Sequence, residues 1–477
     1  MQQAVALRGR FSYEARDNAF PSPRLRAASP ILSGMKTIAI IGGGAAGLAA
    51  AISAGEAVAR EGRGDVRVVL YEADDERVGR SILATGNGRC NFSNVRIDPA
   101  LYRNEAFVET ALSALASSES ASSASDSPHD CLVDVVDAGE RFEPSGLEAP
   151  VHRFFSQLGL VWRQEAQGRL YPLANKASSV VDVLRAAVRA AGVEERFGRE
   201  LARVDAEGPR GRIHLRFRDG SIEHADAAIV AVGGRAIAGI ELPADVPSLP
   251  CRPVLGPLRA DPRIARQLNN IRVKCVVKLA RASRVIAREQ GELLFRDYGV
   301  SGVCVFNLSR FARKGDVLSI DLLPHIGESD REAWLFSRRK HLQVRLGAGS
   351  PLSAEDVLRG AVLPQVARVA CKCAGVNPDA PLAKRDVPAL AGILGGLKLS
   401  VEGVGDAKQC QVTRGGVDVS AVCASTMEAA AHPGLFFAGE ALDVDAPCGG
   451  YNLHWAWASG ILAGRSAAAR TLDSGLS

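Results

Sequence analysis

The sequence predicts an α/β fold in which one parallel sheet takes strands from both ends of the chain and a substructure is inserted between them. Two observations carry this. A short apolar run, Ile38–Ile41, leads straight into glycines at 42, 44 and 47. Comparable apolar runs recur at 66–71, 227–232 and 435–438, far apart in sequence but alike in length and composition. Runs this short and this apolar read as strands buried on both faces.

The first run and its glycines have the spacing of a dinucleotide-binding turn. Gly42 turns the chain off the strand, Gly44 lets a pyrophosphate approach the backbone, and Gly47 lets the helix pack against the strand. Ala45 and Ala46 open that helix, whose free N–H groups and positive dipole end suit phosphate. The second run ends at Tyr71, and Glu72 follows with a carboxylate able to accept hydrogen bonds from a ribose. This is a Rossmann-like unit.

Arg80 and the loop Thr85-Gly-Asn-Gly-Arg-Cys-Asn-Phe-Ser-Asn94 come next. Gly88, Arg89, Cys90 and Asn91 are candidates to lie against a cofactor, with Arg80 or Arg89 facing phosphate or a ring edge. Residues 113–128 are dominated by Ser and Ala and read as a surface insertion or mobile loop. Pro150 to Gly159 reads as a helix, and a hairpin-like piece ends in Gly168-Arg-Leu-Tyr-Pro172. Ser178 or Ser179 caps a helix with apolar residues at 180, 181, 184 and 188. Asp219-Gly220 signals a hairpin. The run at 227–232 opens into Gly233-Gly234, which can bring backbone against the cofactor. The stretch 240–325 is strand-rich, 327–395 is mostly helical, and 397–425 returns to short strands.

The last run opens a block that narrows the cofactor to FAD: Gly439-Glu-Ala-Leu-Asp-Val-Asp-Ala-Pro-Cys-Gly-Gly-Tyr-Asn452. Glu440 and Asp443 can hold ribityl or ribose hydroxyls. Gly439, Gly449, Gly450, Tyr451 and Asn452 complete the candidate contacts, at a helix start whose N–H groups can face a flavin carbonyl edge. Cys90, Cys448, Tyr451 and His454 are weak candidates for redox or proton chemistry, because each alone reads first as inert core or a satisfied structural group. No second glycine-rich nucleotide loop follows a strand, so NADH or NADPH would reach the site without a Rossmann domain of its own.

The 477 residues are enough for two or three domains. The net charge of +5 is small for that length, and no concentrated basic run or aromatic RNA-binding signature is present, which argues against nucleic acid as a partner. No apolar run reaches the ~18–20 residues of a membrane span. The ten cysteines are scattered without C-x-x-C spacing, which reads as free thiols in a reducing cytoplasm and against a metal site. Residues 1–35 are Arg-rich and irregular. They read as an extension outside the fold, either disordered or upstream of a true start at Met35.

The glycine loop, the 85–94 loop, Gly168–Pro172 with Lys176–Ser178, Tyr298–Gly302, Thr413–Val417 and the 437–452 block together resemble the bacterial NAD(P)/FAD-dependent oxidoreductases. These are the aminoacetone oxidase-like flavoproteins, a group with a proposed 3-dehydro-bile acid reductase. The likeness covers roughly 36–470. It implies an FAD-binding domain split in sequence (36–240 and 411–477), and an inserted β-barrel-like domain (241–410) with a helical subdomain at about 327–395. The group usually has Lys where Ser81 stands. The expected function is FAD-dependent oxidoreduction of a small organic substrate, with NAD(P)H as reductant in a bile-acid or enone reductase-like enzyme. The alternatives are an O2-using amine oxidase, an FAD-binding RNA-modifying protein and a non-catalytic flavin sensor.

Overall fold

The first apolar run becomes the central strand, Lys36–Ile41, of a five-stranded sheet in a computed structural model that describes residues 34–122, 146–206, 212–346 and 352–473. The strand order is Leu435–Phe437, Ala227–Val230, Lys36–Ile41, Val66–Tyr71, Glu194–Arg196. Every neighbouring pair is parallel. Ile38 stands opposite both Ala227 and Val68. The four long-range apolar runs therefore meet as expected. The fifth strand, Glu194–Arg196, carries no apolar residue and sits at an edge.

Helices cover the sheet. Ala45–Arg60 is rich in alanine and almost entirely buried over its first three turns. The final helix, Tyr451–Asp473, lies against it. The helix over Ala177–Ala190 buries Val180, Val181, Leu184 and Val188, the predicted apolar stripe. Its cap differs from expectation. Lys176 holds the cap position, and Ser179 Oγ instead donates to the Lys176 carbonyl at 2.7 Å. Residues 113–122 also differ, since they continue a helix over Glu105–Ser122. Val108, Ala111, Leu112 and Leu115 recur at helical spacing and are buried, so the Ser/Ala composition concealed an amphipathic pattern. The remainder of 113–128, and residues 1–33, lie outside the described residues.

A second core fills a closed six-stranded barrel: Leu258–Ala260, Gly299–Ser301, Arg284–Arg296, Arg272–Arg281, Val317–Asp321 and Leu397–Val404. The last strand shows the alternation that makes a barrel wall. Leu397, Leu399 and Val401 point inward while Lys398, Ser400 and Glu402 face out. Helices Arg331–Leu346, Pro364–Cys373 and Val387–Gly395 follow within this stretch. The strand entering the barrel region, Ser248–Val254, pairs antiparallel with the strand leaving it, Val412–Val417. Among the described residues no helix is long and apolar enough to cross a membrane.

Candidate cofactor and active site

A cavity of about 970 Å³ opens at the carboxyl ends of the sheet strands. That volume is at the upper end for small-molecule and cofactor sites, and the place is where open α/β sheets bind ligands. One wall is the glycine turn. Gly42 has φ +104°, and a Cβ there would stand 2.7 Å from the Ala231 carbonyl oxygen. A Cβ on Gly47 would stand 1.8 Å from the Gly42 carbonyl oxygen, so Gly47 serves packing and does not line the cavity. Gly44, Ala45 and Ala46 do line it, at the start of a helix whose first N–H groups lack intrahelical partners.

Glu72 is held at one end. Its Oε2 accepts the Gly43 N–H at 2.6 Å and its Oε1 accepts the Asp74 N–H at 2.9 Å. Each oxygen retains a second lone pair for a ligand. Arg80 lines the cavity but is largely exposed and pairs with Asp74 at 2.7 Å. The Arg89 guanidinium lies 4.2 Å from the centre of the Tyr171 ring and donates to Asn175 Oδ1 and to Glu165. Asn91 lines the cavity as well, and its Oδ1 is buried without a hydrogen-bond partner. A buried orphan acceptor on a cavity wall calls for a donor from a ligand.

The opposite wall comes from the other end of the chain: Gly439, Glu440, Cys448, Gly449, Gly450 and Asn452. Gly233 joins them. The Glu440 carboxyl is pushed up to about 7 by burial, against the opposing pull of the Thr413 and Gly234 backbone and the Arg235 charge. The Cys448 thiol is pushed up to about 11 by burial, so it keeps its proton at neutral pH. Its Sγ is 3.9 Å from Gln411 Oε1.

Several expected contacts are elsewhere. Gly88 does not line the cavity and closes a short turn with φ +79°. Cys90 is fully buried, and desolvation pushes its thiol up to about 12. Gly234 packs on Thr413, whose Cβ would be 2.5 Å from an added Cβ. Asp443 turns away from the cavity to accept from Arg103 Nε at 2.6 Å and the Gly415 N–H at 2.9 Å. Tyr451 stacks edge-on with Tyr102, whose hydroxyl donates to the Tyr451 carbonyl at 2.8 Å. His454 is fully buried beside Ser93. Of the four candidates for proton or redox chemistry, only Cys448 lines the cavity.

Arg169, Tyr171, Leu255, Val303 and Gln411 also line it and were not singled out. Arg169 and Tyr171 lie within the Gly168–Pro172 motif, two apart on one strand and so on one face. That alternation was the available signal. The other three come from the barrel region and its exit, where no sequence pattern marks a cavity wall.

The residues present fit a flavin dinucleotide: a phosphate-accepting helix start, an anchored acid beyond the next strand, an orphaned acceptor and a second helix start facing the first. Residues 140–466 match the HI0933-like protein Rossmann domain. The chain belongs to this family. A 3-dehydro-bile acid delta(4,6)-reductase from Clostridium scindens is 29% identical to this HI0933-like chain over 456 residues, covering 91% of the chain and all of that protein. A ribosomal RNA dihydrouridine synthase from Escherichia coli is 28% identical, covering 88% of the chain and 95% of that protein. Its namesake from Haemophilus influenzae is 24% identical, with the same coverage.

Proposed function

We propose that this HI0933-like protein is an FAD-dependent oxidoreductase that saturates a carbon–carbon double bond conjugated to a carbonyl in a small organic substrate, with NADH or NADPH as the reductant. The observation that carries the reading is the single cavity walled by the Gly42–Ala46 turn and Glu72 on one side and by Gly439–Asn452 on the other. The names of the relatives support the reaction class, since a delta(4,6)-reductase and a dihydrouridine synthase both add hydrogen across a double bond.

FAD, when bound, supplies the carrier for the electron pair. The chain does the rest. The helix start at Gly44–Ala46 binds the pyrophosphate, and Glu72 orients the adenosine ribose. Glu440 meets the ribityl hydroxyls. The N–H groups at Gly449–Gly450, on the cavity wall, would stabilise negative charge on a bound flavin. Tyr171 and Arg89 stack together on one wall. Saturating the double bond needs a hydride on one carbon and a proton on the other. Cys448 Sγ holds a proton at neutral pH on the cavity wall, and it is the group placed to deliver it and to be reprotonated from solvent.

The test is anaerobic. The purified protein should carry a flavin spectrum that bleaches with NADH or NADPH and recovers when an enone substrate is added. A protein that stays colourless and takes up no FAD would sink the reading. Bleaching only by an amine, with peroxide released in air, would replace it with an oxidase.

The second reading is uridine reduction in RNA, which two of the relatives favour by name. Loss of dihydrouridine from ribosomal RNA in a deletion strain, restored by the gene, would select it over the small-molecule substrate.

A further inference from the structure

Ser93 is fully buried, and its hydroxyl lies between two buried imidazoles, 2.8 Å from His152 Nε2 and 2.9 Å from His454 Nδ1. The three side chains come from three separated parts of the chain: the strand Ser93–Asn94, the helix Ala149–Gln157 and the final helix. None of them lines the cavity. Ser93 Oγ also lies 3.4 Å from the Asn94 carbonyl oxygen, so its one proton goes to that carbonyl or to one ring, and the ring nitrogens left over donate to it. At least one facing nitrogen therefore bears hydrogen. This arrangement is directional in a way that apolar packing is not.

The backbone at Ser93 is where the cavity walls converge. Ser93 stands opposite Leu170 in an antiparallel pair, between Arg169 and Tyr171, which both line the cavity. Next to it, Asn94 Nδ2 donates to the Gly449 carbonyl and to the Gln167 carbonyl, each at 3.0 Å. A Cβ on Gly450 would stand 2.2 Å from the Ser93 carbonyl oxygen. Trp457 Nε1 donates to the Phe92 carbonyl at 3.0 Å. A shift of the Ser93 backbone would thus move the Gly449–Gly450 wall and the Arg169–Tyr171 wall together.

We propose that Ser93, His152 and His454 are positioning residues: their hydrogen-bonded chain locks the Ser93 backbone and so sets the Gly449–Gly450 helix start against the flavin. The desolvation of these three polar side chains is offset in part by the two hydrogen bonds at the Ser93 hydroxyl. What they return here is a fixed register between two cavity walls contributed by distant parts of the sequence. The inference rests on the reading of the cavity as the flavin site.

The test compares FAD affinity and flavin midpoint potential in the full-length protein. Ser93→Ala should bind FAD about tenfold more weakly, the effect of losing roughly one or two neutral hydrogen bonds, and its flavin potential should shift. Leu115→Ala, in the same core but away from the cavity, should lower thermal stability and leave both flavin readouts at the wild-type value. Thr and Val have nearly the same shape, so the pair Ser93→Thr and Ser93→Val isolates the hydroxyl if Ser93→Ala fails to fold. Ser93→Thr should retain the wild-type flavin properties and Ser93→Val should lose them. Wild-type affinity and potential in Ser93→Ala, or equal behaviour of the Thr and Val variants, would overturn the inference while leaving the flavin reading intact. A wild-type protein that binds no FAD would overturn the flavin reading itself.

Discussion

Gly460 of the final helix presses on Ala46 of the first helix so closely that a Cβ at 460 would stand 2.3 Å from the Ala46 carbonyl oxygen. One turn on, a Cβ at Gly464 would stand 2.4 Å from the Ala50 carbonyl oxygen. Two glycines four residues apart let the helix backbones touch. Ala46 also lines the cavity, so this contact couples the two ends of the chain at the cofactor wall. Gly460→Ala should destabilise the protein by ~1–3 kcal/mol, the usual cost of overpacking, and should weaken FAD binding. Chemical denaturation and a flavin titration would check both.

Asp445 is buried between two guanidiniums. Arg310 Nε donates to it at 2.7 Å, and Arg414 donates through Nε and Nη2, each at 2.7 Å. Burial pushes its carboxyl up, but the Arg414 hydrogen bonds and the charges of Arg310 and Arg414 outweigh that and hold it below the usual range. Asp445→Asn leaves two buried cations without their counter-charge. The expected loss is ~3–5 kcal/mol, read as a lower denaturation midpoint.

Acid should weaken the fold through the two buried imidazoles. Burial pushes His152 down to about 3, opposed by the Asn94 backbone and helped by the Arg153 charge. Burial and the charge of His152 push His454 well below its usual value. In the unfolded chain both take up protons near pH 6.5. Between that pH and about 3 the unfolded state binds more protons, so stability falls as pH falls through this window and is constant above it. Each ring contributes at most ~2 kcal/mol of loss between pH 6.5 and 5. His454→Gln should remove one ring's share of that acid-induced loss, at most ~2 kcal/mol between pH 6.5 and 5.

Glu440 has the opposite sign. Its carboxyl ionises near 7 in the fold and near 4.5 in the unfolded chain. The flavin-free protein should lose stability as pH rises from about 4.5 to 7 and then level off. Glu440→Gln should remove that slope and make the apo protein more stable at pH 8, on the order of 1 kcal/mol given the water that still reaches the site. Equal slopes in the two proteins would contradict this.

Cys448→Ala should keep the flavin spectrum and its reduction by NAD(P)H, because the thiol's partner across the wall is the Gln411 side chain and not the backbone of a neighbouring element. Substrate turnover should fall about 10²- to 10⁴-fold, the range for removing a proton donor. Stopped-flow traces of the two half-reactions would separate the effects.

Much of the fold was legible because the four long-range sheet strands are mostly apolar, with only Lys36, Thr37 and Arg67 breaking the runs, and burial on both faces leaves that mark. The edge strand Glu194–Arg196 leaves none, since it is polar and three residues long. The cavity was legible where backbone forms its wall, at Gly42–Ala46 and Gly449–Gly450, because close approach demands glycine or a small residue. It was not legible where two acids share one segment. Glu440 faces the cavity and Asp443 faces Arg103, and nothing in their spacing says which partner each will find. The Ser93 hub was hidden for a related reason: its members lie 59 and 361 residues apart in sequence and meet only in three dimensions.

The cavity walls at Gly42–Ala46 and at Gly439–Asn452 have a consequence for biosynthesis. The barrel strands, Leu258 to Val404, are complete well before the last wall leaves the ribosome. Domains fold as units in the order they are made. The barrel can therefore close on a growing chain, but the central sheet lacks its Leu435–Phe437 edge and the cavity lacks its Gly439–Asn452 wall until the C-terminal segment is released. The order of synthesis thus makes the cavity one of the last parts of the fold to be completed.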